Sequence, residues 1–295
     1  MLRKIQFIRF TVLGAMVLCS ILAGCQAKKT IWGDPQTGLI LEYRIPQDQS
    51  LQYKNTSETN QTIDMMGQSI ETSTKILIDY SIKGTGTDDQ NNLLTQVNIN
   101  DFNMVLTGMQ GETTPDTSAL KGKSFGVSFS PKGKEIGFTG INDLPKIDLG
   151  MMSGGEQSVE QFFRNLLPDL PDEPVKVGAT WSEPIDNTIP QGPLEITTKG
   201  EAANILEGLE TINGRECVRI KSTAKSTVQG SGEMMGNEMK IKGEVKSLAI
   251  WYFAYKEGLF IKASVEDDSD VKIAVGSMGE IPQSSKMKLE IELLP

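Results

Sequence analysis

The chain contains no histidine among its 295 residues. That absence removes Ser-His-Asp and Cys-His nucleophilic catalysis and any histidine-ligated zinc. Cysteine is scarce as well: Cys19, Cys25 and Cys217 are the three present, and none forms a CxxC pair. There is no P-loop and no GxGxxG stretch, so the common phosphate and dinucleotide cradles are missing. Aromatic residues make up 6% of the chain, with three Trp and five Tyr. Glycosidases set two carboxylates at a fixed distance, usually in an aromatic-lined cleft. No acid pair stands out that way, so a hydrolase ranks last of three functional readings, and no catalytic residue is assigned. No apolar run reaches the ~20 residues that a membrane-spanning helix needs.

What the sequence does contain begins at its start. Arg3, Lys4 and Arg9 precede the apolar run FTVLGAMVLCSILAG at 10–24. A charged start and a run of this length read as a secretory signal. Leu22-Ala23-Gly24-Cys25 resembles the bacterial lipoprotein box, which implies cleavage after residue 24 and a diacylglycerol on Cys25. An ordinary secreted chain with a chance Cys is the plainer alternative. Gln26 rather than Asp follows the cysteine. By resemblance to enterobacterial sorting, this implies the outer membrane, facing the periplasm, where the host has one.

Removing the three basic residues of 1–24 leaves 26 basic against 38 acidic residues, a net charge of −12. Such a surface repels nucleic acid and anionic headgroups, so the expected membrane partner is reached through the lipid on Cys25. Cys217 is then the one thiol left, without a disulfide partner. It reads as a half-buried strand residue rather than a reactive nucleophile.

Residues 25–38 are polar and read as a lipidated tether, leaving 39–295 as the folded part. Most of that part alternates with period two: Ile76, Ile78, Tyr80 and Ile82 in KILIDYSIK, and Met287, Leu289, Ile291 and Leu293 near the end. Val97 and Ile99 change parity to Phe102, Met104 and Leu106, which predicts a bulge near Asp101. Turns are expected at Ser130-Pro131-Lys132-Gly133, at Asn213-Gly214, which sets Leu209 opposite Val218, and at Lys256-Glu257-Gly258. The expected fold is all-β and mainly antiparallel, a curved half-barrel-like sheet. One segment breaks the pattern. Val159, Phe162, Phe163, Leu166 and Leu167 recur at helical spacing, which predicts an amphipathic helix over 156–167 stopped by Pro168. It separates two β-rich halves, about 39–150 and 175–295. Each half carries one Met-Met-Gly (Met65-Met66-Gly67 and Met234-Met235-Gly236) near the start of a long strand, as one sheet of two like halves would.

Further stations occur in order. They are Leu120-Lys121-Gly122-Lys123-Ser124-Phe125, Phe129-Ser130-Pro131-Lys132-Gly133-Lys134, Leu170-Pro171 with Pro174-Val175-Lys176-Val177-Gly178-Ala179-Thr180-Trp181, and Gly208 to Cys217. Together they resemble a bacterial family of uncharacterised secreted lipoproteins with SPxGk and LP…PvxvGxtW motifs. That family has no assigned activity. The mixture of long strands and one amphipathic helix also resembles lipoprotein carriers of the LolA/LolB type. This second resemblance implies a half-open sheet that binds acyl chains in its hollow.

For a ligand the candidate wall is Trp251 and Phe253, which share one strand face, with Phe162, Phe163 and the doublets Met65, Met66, Met234 and Met235. Ordinary packing is the plainer reading of the methionines, including Met151 and Met152. Contact with an apolar ligand comes second and copper third, because no Cys or His accompanies them. The acidic run Glu266-Asp267-Asp268-Ser269-Asp270 lacks the order of a calcium loop and reads as a solvated edge or turn. No metal and no cofactor is expected. The leading functional reading is a lipid-anchored binding module outside the cytoplasm that carries or senses a hydrophobic or acylated molecule. The alternative is a structural or interaction lipoprotein with a filled core and no ligand.

Overall fold

The structure, a computed structural model, describes residues 32–65, 67–149, 155–191, 194–234, 237–276 and 279–295. The leader 1–24, Cys25, the first part of the tether, and Met66, Met151, Met152 and Met235 lie outside the described residues. No described helix is long and apolar enough to cross a membrane.

The predicted period-two runs form one twelve-stranded antiparallel sheet, curved and unclosed. Its first part holds β3 (Leu51–Met65), β4 (Gln68–Thr87), β5 (Leu93–Gly108), β6 (Gly111–Thr113), β7 (Ser124–Phe129) and β8 (Glu135–Thr139). Its second part holds β11 (Thr180–Gln191), β12 (Leu194–Ile212), β13 (Arg215–Met234), β14 (Asn237–Ala254), β15 (Leu259–Val275) and β16 (Glu280–Leu293). The order is β11-β12-β13-β14-β15-β16-β3-β4-β5-β7-β8, with β6 beside β5. The last strand thus lies against the first long one, Leu293 opposite Tyr53, and the two chain halves share one continuous ladder. Two small pairs lie apart from it: β1 (Gly33–Asp34) with β2 (Gly38–Leu39), and β9 (Ile147–Asp148) with β10 (Glu156–Gln157).

Turn chemistry sets the registers. Asn213 and Gly214 both take positive φ, 50° and 76°, the pairing that twists a two-residue hairpin with its strands. Leu209 accordingly faces Val218. Asp79 pairs with Asp101 and Tyr80 with Ile99, so Asn100 is the extra residue that switches the parity of β5. Gly133 donates to the carbonyl of Ser130 at 2.9 Å and closes the Ser-Pro-Lys-Gly turn.

The expected α-helix over 156–167 is replaced by a 3-10 turn, Val159–Phe162, preceded by β10. Ser158 caps it by accepting from the backbone N–H of Glu160. Asn165 then takes φ +56°, which a right-handed helix cannot absorb. Its N–H donates instead to Glu135 Oε2 at 3.2 Å. The apolar spacing served packing rather than a helix: Val159, Phe163, Leu166 and Leu167 are all buried, and Phe162 packs on the same core.

The long strands have two ends, and their turns sort by end. Asn213-Gly214, Tyr255–Gly258 and the loop after β4 lie at one end, the base. The hairpin closures Met65 with Gln68, Gly108 with Gly111, and Met234 with Asn237 lie at the other, the tips. At the base one face is covered by residues 39–50 and by described residues of 114–149 and 155–178. Leu39 pairs with Val175, Tyr43 N–H donates to Pro131 O, and Arg44 N–H to Gly258 O. The core therefore sits at the base, around Tyr53, Tyr80, Phe125, Phe163, Phe253 and Phe260.

Candidate functional site

Past the row Leu206–Ile220–Trp251–Ala263–Ile291–Asn55–Ile78, the buried parity of the sheet runs on toward the tips without cover among the described residues. Its side chains there are half-buried, except Met239, which is buried. Just inside the outermost row, Leu194–Gly232–Met239–Val275, stand the rows Ile196–Gly230–Ile241–Ile273–Ile281 and Thr198–Val228–Gly243–Val271–Gln283–Ile63–Ile70. Strands lie about 4.8 Å apart and same-face residues about 6.7 Å, so these twelve positions cover roughly 400 Å². An exposed apolar patch of that size on a monomer is often functional.

Two middle rows differ. Gly200–Ser226–Val245–Ser269–Ser285–Gln61–Thr72 and Ala202–Ala224–Ser247–Asp267–Met287–Thr59–Thr74 mix small, hydroxyl and apolar groups. The hydroxyls of Ser269 and Ser285 share a hydrogen bond of 2.7 Å. Asp267 Oδ1 is shielded from solvent and has no hydrogen-bond partner. Burial pushes its carboxyl above the ordinary value, with the Ser247 hydroxyl opposing and Asp268 adding to the rise. Glycine belongs on this face where neighbouring strands come close: a Cβ at Gly200 would lie 2.2 Å from Lys225 O, and at Gly243, in the adjoining tip row, 2.3 Å from Asp270 O.

The opposite face is ionic. Lys75 meets Glu58 at 3.7 Å, Lys199 meets Asp186 at 3.4 Å and Lys288 meets Glu266 at 3.5 Å. Exposed pairs of this kind contribute little stability. Two open hollows of about 820 and 1430 Å³ lie mainly on this face, lined by side chains such as Glu71, Lys246, Asp268 and Lys286 in one and Lys199, Lys242, Asp270 and Lys272 in the other.

The residues singled out in the sequence fall elsewhere. Trp251, Phe253 and Phe163 are core: Phe253 meets Tyr43 edge-on at 5.1 Å, and Phe163 meets Phe125 at 5.0 Å. Phe162 lies edge-on to Phe102 at 5.3 Å. None of the four lines either hollow. Met65 is exposed, at the closing pair of the β3–β4 hairpin, and Met234 stands at the matching place of β13–β14. The pairs Met65–Gln68 and Met234–Asn237 thus close hairpins at the same end of the sheet. Cys217 is fully buried, and burial raises its thiol to about 11. The acidic run is neither edge nor turn, since Glu266 to Asp270 lie in the middle of β15, between β14 and β16. Alternation in KIKGEVK and VEDDSDVKI signalled strands with one charged face. It held no sign that the other face would stay uncovered.

No family model matches the chain, and no curated protein matches it. Among solved structures, it is loosely similar to a DUF1329 family protein from Desulfovibrio piger, with 10% identity over 83% of this chain and 87% of that one. The TM-score is 0.16, and a likeness that loose carries no argument about this chain.

Proposed function

We propose that the chain is a lipid-anchored binding module outside the cytoplasm that holds an apolar or acylated molecule against the bare face of its sheet. The supporting observation is the eight branched aliphatic side chains of the two tip rows, half-buried and on the same face as the core, yet covered by nothing described. Water on such a surface is costly, and an apolar ligand relieves that cost. The anchor is Cys25. Trp32 lies at the base end, where its carbonyl accepts from Ile40 N–H, so the tips would point away from the membrane. Cys25→Ala, made behind a secretory signal that is cleaved without a lipobox in place of residues 1–24, is expected to release the protein into the soluble fraction, because the lipid is the proposed anchor. An Ala variant that still pellets with membranes rules out the lipid.

Binding is tested with an uncharged fluorescent probe of apolar surfaces, such as Nile red. Ile273→Asp should abolish its uptake, whereas Lys272→Asp, on the other face, should leave it intact. Equal effects of the two changes would discard the bare face as the site. A second reading has its own support: Trp251, Phe253 and Phe163 fill the interior, and the two hollows are lined by charged and hydroxyl groups. On that reading the same face docks a protein, and native mass spectrometry of material from its own host finds a protein rather than a lipid.

A further inference from the structure

We infer that the molecule held on the bare face is an amphiphile with an ammonium head group, and that Asp267 is its counter-charge. This rests on the proposed binding face and adds the chemistry of its ligand. Parity carries the inference. On β14, β15 and β16, the face residues are odd-numbered, from Met239 to Phe253, Ala263 to Val275 and Ile281 to Leu293; a bulge shifts the parity of β15 only nearer the base, where Phe253 pairs with Phe260. Every lysine and every glutamate of those strands is even-numbered and stands on the other face. Asp267 is the one charged residue that breaks this rule.

Across the bare half from β12 to β4, this face offers Asp267 no lysine and no arginine. The other acid of the row, Glu183 at the β11 edge, accepts from Trp181 Nε1 at 2.9 Å. The Ser247 hydroxyl reaches the Asp267 carboxyl, but one of its two oxygens, Oδ1, stays shielded and unpartnered. A carboxylate in that state destabilises the fold unless a donor meets it. An ammonium supplies both the donor and the opposite charge, whereas a fatty acid would bring a second anion. The remainder of such a molecule has a path to follow. From Asp267 the face continues through Val271 to Ile273, six residues along β15, or about 20 Å, the length of a long acyl chain.

The test uses the mature chain with Cys25→Ser, which keeps every described residue and needs no detergent. Dodecylammonium and dodecanoate are titrated below their micelle concentrations at neutral pH. The amine is expected to bind at least tenfold tighter. Asp267→Asn, or Asp267→Ser should the first fold poorly, is expected to erase that preference while dodecanoate binds as before or better. Asp268→Asn removes the same charge from the opposite face and is expected to keep the preference. Equal binding of the two ligands to the Asp267 protein overturns the inference and leaves the binding face standing. A preference that survives Asp267→Asn, or is lost equally in Asp268→Asn, overturns it too, by assigning the effect to overall charge. If neither ligand binds folded protein, the face itself is misread and both proposals fall.

Discussion

β14 passes through two environments within 18 residues. At the base its Trp251 and Phe253 are 4% and 0% exposed, under a cover of loops and a 3-10 turn. Toward the tips Ile241 and Val245, on the same face of the same strand, are only partly buried. The backbone ladder is unbroken from Val218–Phe253 to Met234–Asn237, so hydrogen bonding does not distinguish the regions. Side-chain burial does. A ladder exchanges water hydrogen bonds for protein ones at small net gain, whereas the base buries aromatics worth several kcal/mol each. The base is the part that folds for stability. The bare half is held in place by it and keeps its apolar face free.

That contrast fails or stands first on matched truncations. Phe163→Ala and Phe253→Ala, both at fully buried sites, should cost about 3–5 kcal/mol in urea unfolding. Ile273→Ala in the bare half should cost about 1 kcal/mol, since its side chain leaves little water-free surface behind. Similar losses at Phe163 and Ile273 would mean that the bare half is covered in solution by something else, a second copy included.

Within the base, two stacked tyrosines sharpen the account. Tyr53 and Tyr80 lie 5.6 Å apart, and burial raises both phenols well above their ordinary value. Tyr53 donates to Phe260 O at 2.8 Å, while the Tyr80 hydroxyl is buried without a partner. Tyr53→Phe should therefore cost about 1–2 kcal/mol. Tyr80→Phe keeps the stack, sheds an unmet hydroxyl, and should be neutral or stabilising by up to about 1 kcal/mol. Calorimetry on the pair checks this. A loss at Tyr80 as large as at Tyr53 would reveal a buried water between that hydroxyl and the chain.

Local chemistry made the strands legible. Alternation, the parity change before Phe102 and the Asn-Gly and Ser-Pro-Lys-Gly turns are short-range signals, and short-range physics fixed the registers they predicted. The 156–167 segment misled because spacing i, i+3, i+4 suits any tight coil laid on a core, and Asn165 at positive φ ends the helix before it starts. The aromatic wall misled for a related reason. Trp251 and Phe253 do share a face, but only long-range cover from residues 39–50, 114–149 and 155–178 decides that this stretch of the face is packed. Met65 closes the β3–β4 hairpin, where Gly67 supplies φ +78°, just before the long strand β4. The bare face needed the converse knowledge, that no described segment returns to cover it, and nothing local to Ile241 or Ile273 states that.

The smallest expected effect probes the one charge on the bare face. Burial first, and then the neighbouring Asp268, hold the Asp267 carboxyl above its ordinary value of 3.8, against the Ser247 hydrogen bond. A carboxyl raised in the folded state binds its proton more tightly there than in the unfolded chain. Folding is then favoured at low pH, and that advantage is lost as pH rises through the folded-state value. At neutral pH the ionised Asp267 works against the ligand-free fold. Asp267→Asn should accordingly raise the midpoint of thermal unfolding at pH 7, and the gain should shrink as pH falls toward 3.8. Asp268→Asn, on the solvated face, should show no such trend. Added dodecylammonium should narrow the neutral-pH gap by stabilising the Asp267 protein more than the Asn variant, because bound ligand adds stability in proportion to its occupancy. A gap that is flat with pH would mean that water already meets the Asp267 carboxylate, and that the bare face is wetter than its side chains suggest.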